Sequence, residues 1–493
     1  MCRLLGIVRT GVASVVRHPL APIAASLALN VWGLGKASLW ADEGATFGIA
    51  RYGLSPYEHP ATYFRFMACW MKIAGHSEFM LRLPSVLAIA GFVALVYRAG
   101  ILIRNRDLGT WAAWLAAFSP FVRLGAQEAR PYAILAFTGS LALVGLLSWM
   151  AGQRKGAYVW GIGAAGSMLL HHLGWLVVWP PWLLAVLQSR RRRDLLLAAA
   201  GALALYMPIL STSLTQISLR LTGGHLGTST SLVAMVKKLV GQLYYMGAGY
   251  LFSQLDFTDL LHLVRQPRGL FFLLLFLVPL FFAVRGIWYL RPWQDTRLFL
   301  GLLYAVPTFV FLAYEGSPAN LVLPVYLSYV LLLAAGALST IRFRWVLPIL
   351  WMFIVLVQSR SWTYPIHPED WRSLTAYIRT NATAQDAVFL TGSRNSIFMT
   401  DYYPVSPAAR HALADSSMIR SSMDPHDAAK REPVVASVRR LLDTHESVWF
   451  VYIDYKLPFM QHSVDSLWQQ AGVTRRRFGD GLELLRLTER GGA

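Results

Sequence analysis

Long apolar runs, parted by short loops rich in arginine, constrain this chain more than any other feature. The basic clusters are Arg104-Asn105-Arg106, Arg154-Lys155, Arg190-Arg191-Arg192-Arg193 and Arg342-Phe343-Arg344. A hydrocarbon core of ~30 Å takes ~20 residues of helix, and on that basis the chain holds about eleven spans. Basic loops collect on the cytoplasmic side of a membrane protein, so these clusters set the intervening loops on the opposite face. The chain is 55% hydrophobic and 14% charged, which is too apolar for a soluble protein of its length. Its net charge of +19 is spread over these loops rather than along one stripe, which argues against a nucleic-acid-binding surface.

The first span is expected over residues 18–36, behind a cytoplasmic flank carrying Arg3, Arg9 and Arg17. It reads as a retained helix rather than a removed signal peptide. Further spans are expected over residues 84–103, 108–122, 132–150, 157–170, 173–187, 195–210, 269–285, 298–314, 321–338 and 345–357. Residues 44–52 and 62–73 are rich in aromatics and fit amphipathic helices lying in the interface. Cys2 and Cys69 fall on opposite sides of this topology and cannot pair.

From residue 358 the composition turns polar, and no later run can span a bilayer. A helix is expected from Glu369-Asp370-Trp371 to Arg379 and another over 463–471, with strands over 387–390, 447–453 and 482–487. The expected architecture is an α-helical polytopic membrane domain over 1–357 and a small α/β domain over 358–493. With an odd number of spans and a cytoplasmic N-terminus, the second domain is expected on the non-cytoplasmic face.

The ionisable groups of the apolar part gather at one interface. Asp42 and Glu43, in Ser38-Leu39-Trp40-Ala41-Asp42-Glu43, stand where the first span is expected to end. Glu128, in Gln127-Glu128-Ala129-Arg130, follows the third at the same depth. Such residues at a membrane boundary point to function. Carboxylates so placed do base work or hold a divalent cation, and all three are candidate metal ligands. Arg82, Arg130, Lys237 and Lys238 fall on the same face and are candidates to meet a phosphate; arginines near helix ends also snorkel or pair with lipid.

The stretch from Ser38 to Trp175 resembles the integral-membrane glycosyltransferases of the GT-C superfamily, in their bacterial family 39 form. Relatives of that form include rhizobial lipopolysaccharide galacturonosyltransferases, the lipid A aminoarabinose transferase and protein O-mannosyltransferases. Besides Ser38-Leu39-Trp40-x-Asp42-Glu43, the resembling residues include His59-Pro60 before Tyr63 and Ser77-Glu78-Phe79-x-Leu81-Arg82-Leu83-Pro84-Ser85. Ser119-Pro120, Gln127-Glu128-Ala129-Arg130-x-Tyr132 and His171-His172-Leu173-Gly174 complete the set.

The resemblance implies a GT-C type fold and transfer of a sugar, with inversion, from a polyprenyl-phosphate donor to an envelope acceptor. It implies Asp42 as the base, with Glu43 and Glu128 orienting the site or ligating a metal. His59, Arg82, Arg130, Tyr132 and His171 would contact substrate. Metal dependence varies within the family, so a divalent cation is left open. Two departures stand out: Ala61 follows Pro60 where relatives carry a second proline, and Asn320 replaces an arginine at the start of a late span. Lys237 or Lys238 would then supply the missing cation. The alternatives are a non-catalytic family member, in which loss of Asp42 is harmless, or a lipid-sugar flippase. A flippase would show mid-membrane polar groups and inverted repeats.

Overall fold

A computed structural model describes residues 18–54, 59–189, 192–222, 246, 267–290, 323, 326–340, 343–361, 369–390, 394–405, 409–412, 432–453, 471–478 and 482–489. The chain forms two compact units. One comprises Met1–Leu34, Ser55–Phe66 and Arg82–Arg360; the other comprises Gly35–Leu54, Met67–Leu81 and Ser361–Ala493.

Helices dominate the first unit. In chain order the helices are α1 (Leu20–Val31), then α2 (Ala41–Tyr52), which belongs to the second unit, then α3 (Ala61–Ala74) and α4 (Glu78–Ile103), each divided between the two units. Next come α5 (Arg106–Phe118), α6 (Pro120–Ala126), α7 (Tyr132–Met150), α8 (Lys155–Leu170), α9 (Gly174–Gln188) and α10 (Arg193–Thr222). Then follow α11 (Pro267–Tyr289), α12 (Tyr326–Ser339) and α13 (Val346–Ser361). Among the described residues, three helices are long and apolar enough to cross a membrane: Glu78–Ile103, Tyr132–Met150 and Arg193–Ser218. Shorter apolar helical stretches among the described residues are Leu20–Val31, Gly174–Gln188, Leu277–Tyr289, Tyr326–Ser339 and Val346–Leu356. The expected span over 298–314 lies outside the described residues.

Several expected boundaries move, each for a local reason. The first helix stops at Val31, well short of residue 36. Its last carbonyls turn to α6: Arg123 donates to the Leu29 and Trp32 carbonyls, and Gln127 Nε2 donates to those of Asn30 and Trp32 at 3.3 Å each. A cation at a helix C-terminus also meets the negative end of its dipole. Helix α4 begins at Glu78 and runs through Pro84. Proline leaves the carbonyl four residues earlier without its usual donor, and here the Trp70 indole N–H reaches that Met80 carbonyl at 2.7 Å. The expected third span is two helices. Ser119 closes α5 and caps α6, accepting the Val122 N–H at 3.3 Å, with Pro120 in the first turn, a position that suits proline. Helix α10 continues past residue 210 to Thr222.

Helix α2 is not an interfacial amphipathic helix. Ala41, Glu43, Gly44, Ala45, Thr46, Phe47, Gly48 and Ala50 are all buried, so protein surrounds most of it. The chain leaves it through Gly53 in the left-handed conformation, at φ 63°, which glycine adopts without a Cβ penalty.

In the second unit, helix α14 (Trp371–Asn381), strand β1 (Ala387–Leu390), helix α15 (Arg394–Tyr402) and strand β2 (Ala409–Ala412) precede helix α16 (Glu432–Leu442). Strands β3 (Ser447–Ile453), β4 (Ala471–Phe478) and β5 (Leu482–Glu489) complete a five-stranded sheet of order β2-β1-β3-β5-β4. β1 pairs in parallel with β2 and β3; β5 pairs antiparallel with β3 and β4. All four β1 residues, Ala-Val-Phe-Leu, are buried, as a central parallel strand requires. The helix expected over 463–471 is corrected at Ala471, which opens β4; residues 463–470 lie outside the described set. β4 carries Arg475, Arg476 and Arg477, so its composition hides the strand signal. It lies at one edge of the sheet, where charged side chains deter pairing with other chains.

Asp386 anchors the start of β1. It is buried and accepts from the Ser447 hydroxyl, the Thr383 N–H at 2.8 Å and the Trp449 indole at 3.2 Å. Burial pushes its carboxyl up, but these hydrogen bonds and the Arg486 charge outweigh it and hold it below the usual 3.8. A carboxyl depressed in the folded state adds stability above its unfolded value and loses it as pH falls through its folded value. The thermal midpoint of the full chain, followed by tryptophan fluorescence, is therefore expected to drop on acidification below about pH 4. Asp386→Asn should flatten that drop.

Candidate functional site

The acidic pair opens a helix rather than ending one. α1 stops at Val31, and Asp42 and Glu43 fall in the first turn of α2. Carboxylates there meet the positive end of the helix dipole. The two are used differently. Glu43 is completely buried, and its Oε2 accepts the Trp40 N–H at 3.3 Å. Asp42 keeps partial exposure, and its carbonyl accepts the Thr46 hydroxyl at 3.3 Å.

In the first unit, five predicted residues stand close in the chain or in space: His59, Glu128, Arg130, Tyr132 and His171, all buried. Arg130 Nη2 lies 3.1 Å from His59 Nε2. A guanidinium only donates, so His59 accepts there and carries its proton on Nδ1. The His59 and His171 rings lie 4.7 Å apart, centre to centre, with Tyr132 5.7 Å from His171 and 6.4 Å from His59. His171 Nδ1 accepts the Leu173 N–H at 3.0 Å, which leaves Nε2 to carry the proton of the neutral ring. The Arg130 guanidinium carbon is 5.8 Å from the Tyr132 ring centre. The cluster thus offers a fixed cation and oriented donors in a dry setting, the equipment for an anionic oxygen.

Glu128 follows α6, and its carbonyl accepts the Ser85 hydroxyl at 2.5 Å. Arg82 is buried, with Nη1 on the Leu34 carbonyl at 3.0 Å. Asp42 and Glu43 belong to one unit and the basic cluster to the other. Lys237, Lys238 and Asn320 lie outside the described residues. Among the described residues, no three His, Cys, Asp or Glu side chains gather closely enough to hold a metal ion.

Gln216, on α10, escaped the reading of the sequence. Its Nε2 donates to the His59 carbonyl at 3.1 Å, and its Oε1 lies 3.1 Å from His172 Nε2. It falls beyond the expected end of the seventh span, so only the extra length of α10 delivers it. Glu369, Arg372 and Tyr403 were likewise not read as site residues. Each contacts the segment before Asp42, and no local motif marks them.

Arg130→Ala is expected to destabilise the protein by about 1–3 kcal/mol, because it strips a buried acceptor of its donor. A lowered thermal midpoint in detergent would show it; an unchanged midpoint would count against the pairing with His59.

Residues 58–215 match the family described as dolichyl-phosphate-mannose-protein mannosyltransferase. That segment takes in His59, Arg82, Glu128, Arg130, Tyr132 and His171 but starts after Asp42 and Glu43. No curated protein matches the sequence. Among solved structures, ArnT from Cupriavidus metallidurans bound to undecaprenyl phosphate is similar with a TM-score of 0.60 at 12% identity, over 95% of this chain and 97% of that one. The oligosaccharyltransferase of Archaeoglobus fulgidus in its apo form is similar at 0.54 and 14% identity, over 93% of this chain and 73% of that one. AglB from the same organism, in complex with an inhibitory peptide and a dolichol-phosphate, is similar at 0.52 and 13% identity, over 93% and 72%. At such identities the likeness is one of fold. The resemblance read from the motifs is borne out: the protein has the fold of the GT-C membrane glycosyltransferases, and its residues 58–215 match the dolichyl-phosphate-mannose-protein mannosyltransferase family.

Proposed function

We propose that this protein is an inverting glycosyltransferase of the bacterial inner membrane. It moves a sugar from a polyprenyl-phosphate donor to an envelope acceptor at the periplasmic face. About eleven spans carry the site, and the C-terminal α/β domain lies on that same side. The observation that most supports the reading is the division of labour in the acidic pair: Glu43 is buried and serves the backbone, whereas Asp42 alone of the two reaches the surface. The similar structures solved with undecaprenyl phosphate or a dolichol-phosphate support a lipid-phosphate donor.

In this mechanism Asp42 takes the proton of the acceptor hydroxyl. The hydroxyl oxygen attacks the anomeric carbon from the face opposite the phosphate. The bond from that carbon to the phosphate oxygen breaks, and the lipid phosphate departs with the electron pair. Arg130, with His171 and Tyr132 as neutral donors, meets the phosphate charge. His59 orients Arg130, and Glu128 orients the loop that carries it. Arg82 holds the Leu34 carbonyl ahead of the motif. Lys237 and Lys238 are the proposed cations in place of the arginine missing at Asn320.

The test is transfer by purified protein in liposomes, with a panel of polyprenyl-phosphate sugars and a crude envelope fraction as acceptor. Transfer from one donor is the expected result. Binding of a donor without transfer from any would overturn the assignment in favour of a non-catalytic member.

A further inference from the structure

We infer that the C-terminal domain is the positioning element of the Asp42 motif: Glu369, backed by Arg372 and Tyr403, holds the backbone of residues 35–41 and thereby sets where Asp42 stands. The catalytic part of this inference rests on the proposed transfer reaction; the clamp itself does not.

Residues 32–40 form no regular helix or strand, so their backbone groups need partners from elsewhere. Many of those partners come from more than 300 residues later in the chain. Arg372 Nη1 donates to the Lys36 carbonyl at 3.0 Å and Nη2 to that of Gly35 at 3.4 Å. The Arg372 N–H reaches Ser38 Oγ at 3.3 Å. The Tyr403 hydroxyl accepts the Leu39 N–H at 3.0 Å. Glu369 Oε2 accepts the Ala41 N–H at 3.0 Å and the Trp371 indole N–H at 2.6 Å. All these residues belong to one compact unit.

The Ala41 contact matters most. Ala41 is the first residue of α2, and the first N–H groups of a helix have no partner within it. A buried carboxylate is costly unless it accepts hydrogen bonds; Glu369 is buried and spends one oxygen on the residue next to Asp42. A second layer steadies the first. Glu78 Oε1 accepts from Arg372 Nη2 at 2.5 Å and from the Tyr403 hydroxyl at 2.9 Å. Burial, with the Glu78 carboxylate nearby, pushes that hydroxyl up to about 12. It therefore stays protonated and donates to Glu78 while it accepts from Leu39. Farther along α2, Phe47 meets the Tyr402 ring edge-on at 4.9 Å, and a Cβ at Gly48 would overlap the Phe398 ring. Helix α15 thus fixes the body of α2 while Glu369 fixes its first turn.

The experiment uses the full-length protein in lipid nanodiscs, with Glu369→Ala, Glu369→Gln and Tyr403→Phe beside wild type. Two readouts are taken: hydrogen exchange of a peptide covering residues 36–48, and steady-state transfer from the active polyprenyl-phosphate sugar. Glu369→Ala is expected to speed exchange of that peptide about 10-fold, as for loss of a hydrogen bond to a charged group. It should lower kcat by about 10²-fold with the donor KM unchanged, the signature of a misplaced reacting group. Glu369→Gln keeps an acceptor oxygen and should recover most of both. Tyr403→Phe, which loses a single oxygen, should speed exchange at the same peptide and guards against a misfolded alanine variant. Unchanged exchange in both Glu369→Ala and Tyr403→Phe would overturn the clamp. Faster exchange with wild-type kcat would overturn the positioning role. If the wild type transfers no sugar, the proposed reaction fails, and exchange alone decides the clamp.

Discussion

Asp42→Asn is expected to abolish sugar transfer while leaving the amount and thermal midpoint of the protein unchanged. The amide has the shape of the carboxylate but cannot take the acceptor proton. Loss of a general base lowers turnover by about 10²–10⁴-fold, so kcat should fall over that range with donor binding retained. Asp42 is partly exposed, which is why the same change should spare stability. Glu43→Ala makes the contrast. That side chain is completely buried and accepts the Trp40 N–H, so its loss should appear first in the thermal midpoint. Wild-type turnover in Asp42→Asn, assayed in liposomes with the donor that the wild type uses, would remove Asp42 from the mechanism.

Gly336→Val is expected to remove most of the folded protein from detergent extracts. Helices α11 and α12 meet backbone to backbone. A Cβ at Gly336 would overlap the Phe282 carbonyl, and one at Gly286 would overlap the Leu332 carbonyl. In a bilayer, small residues let helices approach this closely. Overpacking ordinarily costs about 1–3 kcal/mol, and here the obstacle is main chain that cannot rotate away. Gly201 on α10 is the control. Nothing lies within 4 Å of a Cβ there, so Gly201→Ala should fold as well as wild type. A monodisperse Gly336→Val protein of unchanged midpoint would show that α11 and α12 do not pack as described.

Helices α7, α8 and α9 lie within two residues of their expected bounds, because each is an apolar run between polar or basic loops. Strands β1 and β3 were legible for the same reason: short apolar runs bounded by polar residues. The break between α5 and α6 does not show in hydropathy although Ser119-Pro120 is a helix-start signal; apolar character continues across it, and hydropathy cannot see a cap. β4 was missed because its arginines are balanced across the sheet. Arg475 and Arg477 both pair with the buried Glu483 of β5, a compensation invisible along the strand itself.

The same distinction runs through the site. Local sequence determined that Asp42-Glu43 and Gln127-Glu128-Ala129-Arg130 border apolar runs, because composition and spacing are properties of neighbours in the chain; His59, Tyr132 and His171 joined them only through the resemblance of their motifs. Tertiary structure decided which acid serves the backbone and which reaches the surface, since burial is set by what packs on α2. It also decided that Glu369, Arg372 and Tyr403 hold residues 35–41 and that Gln216 holds His59. Those hydrogen bonds join groups far apart in the chain, and such pairings exist only once packing has brought their backbones within 3–4 Å.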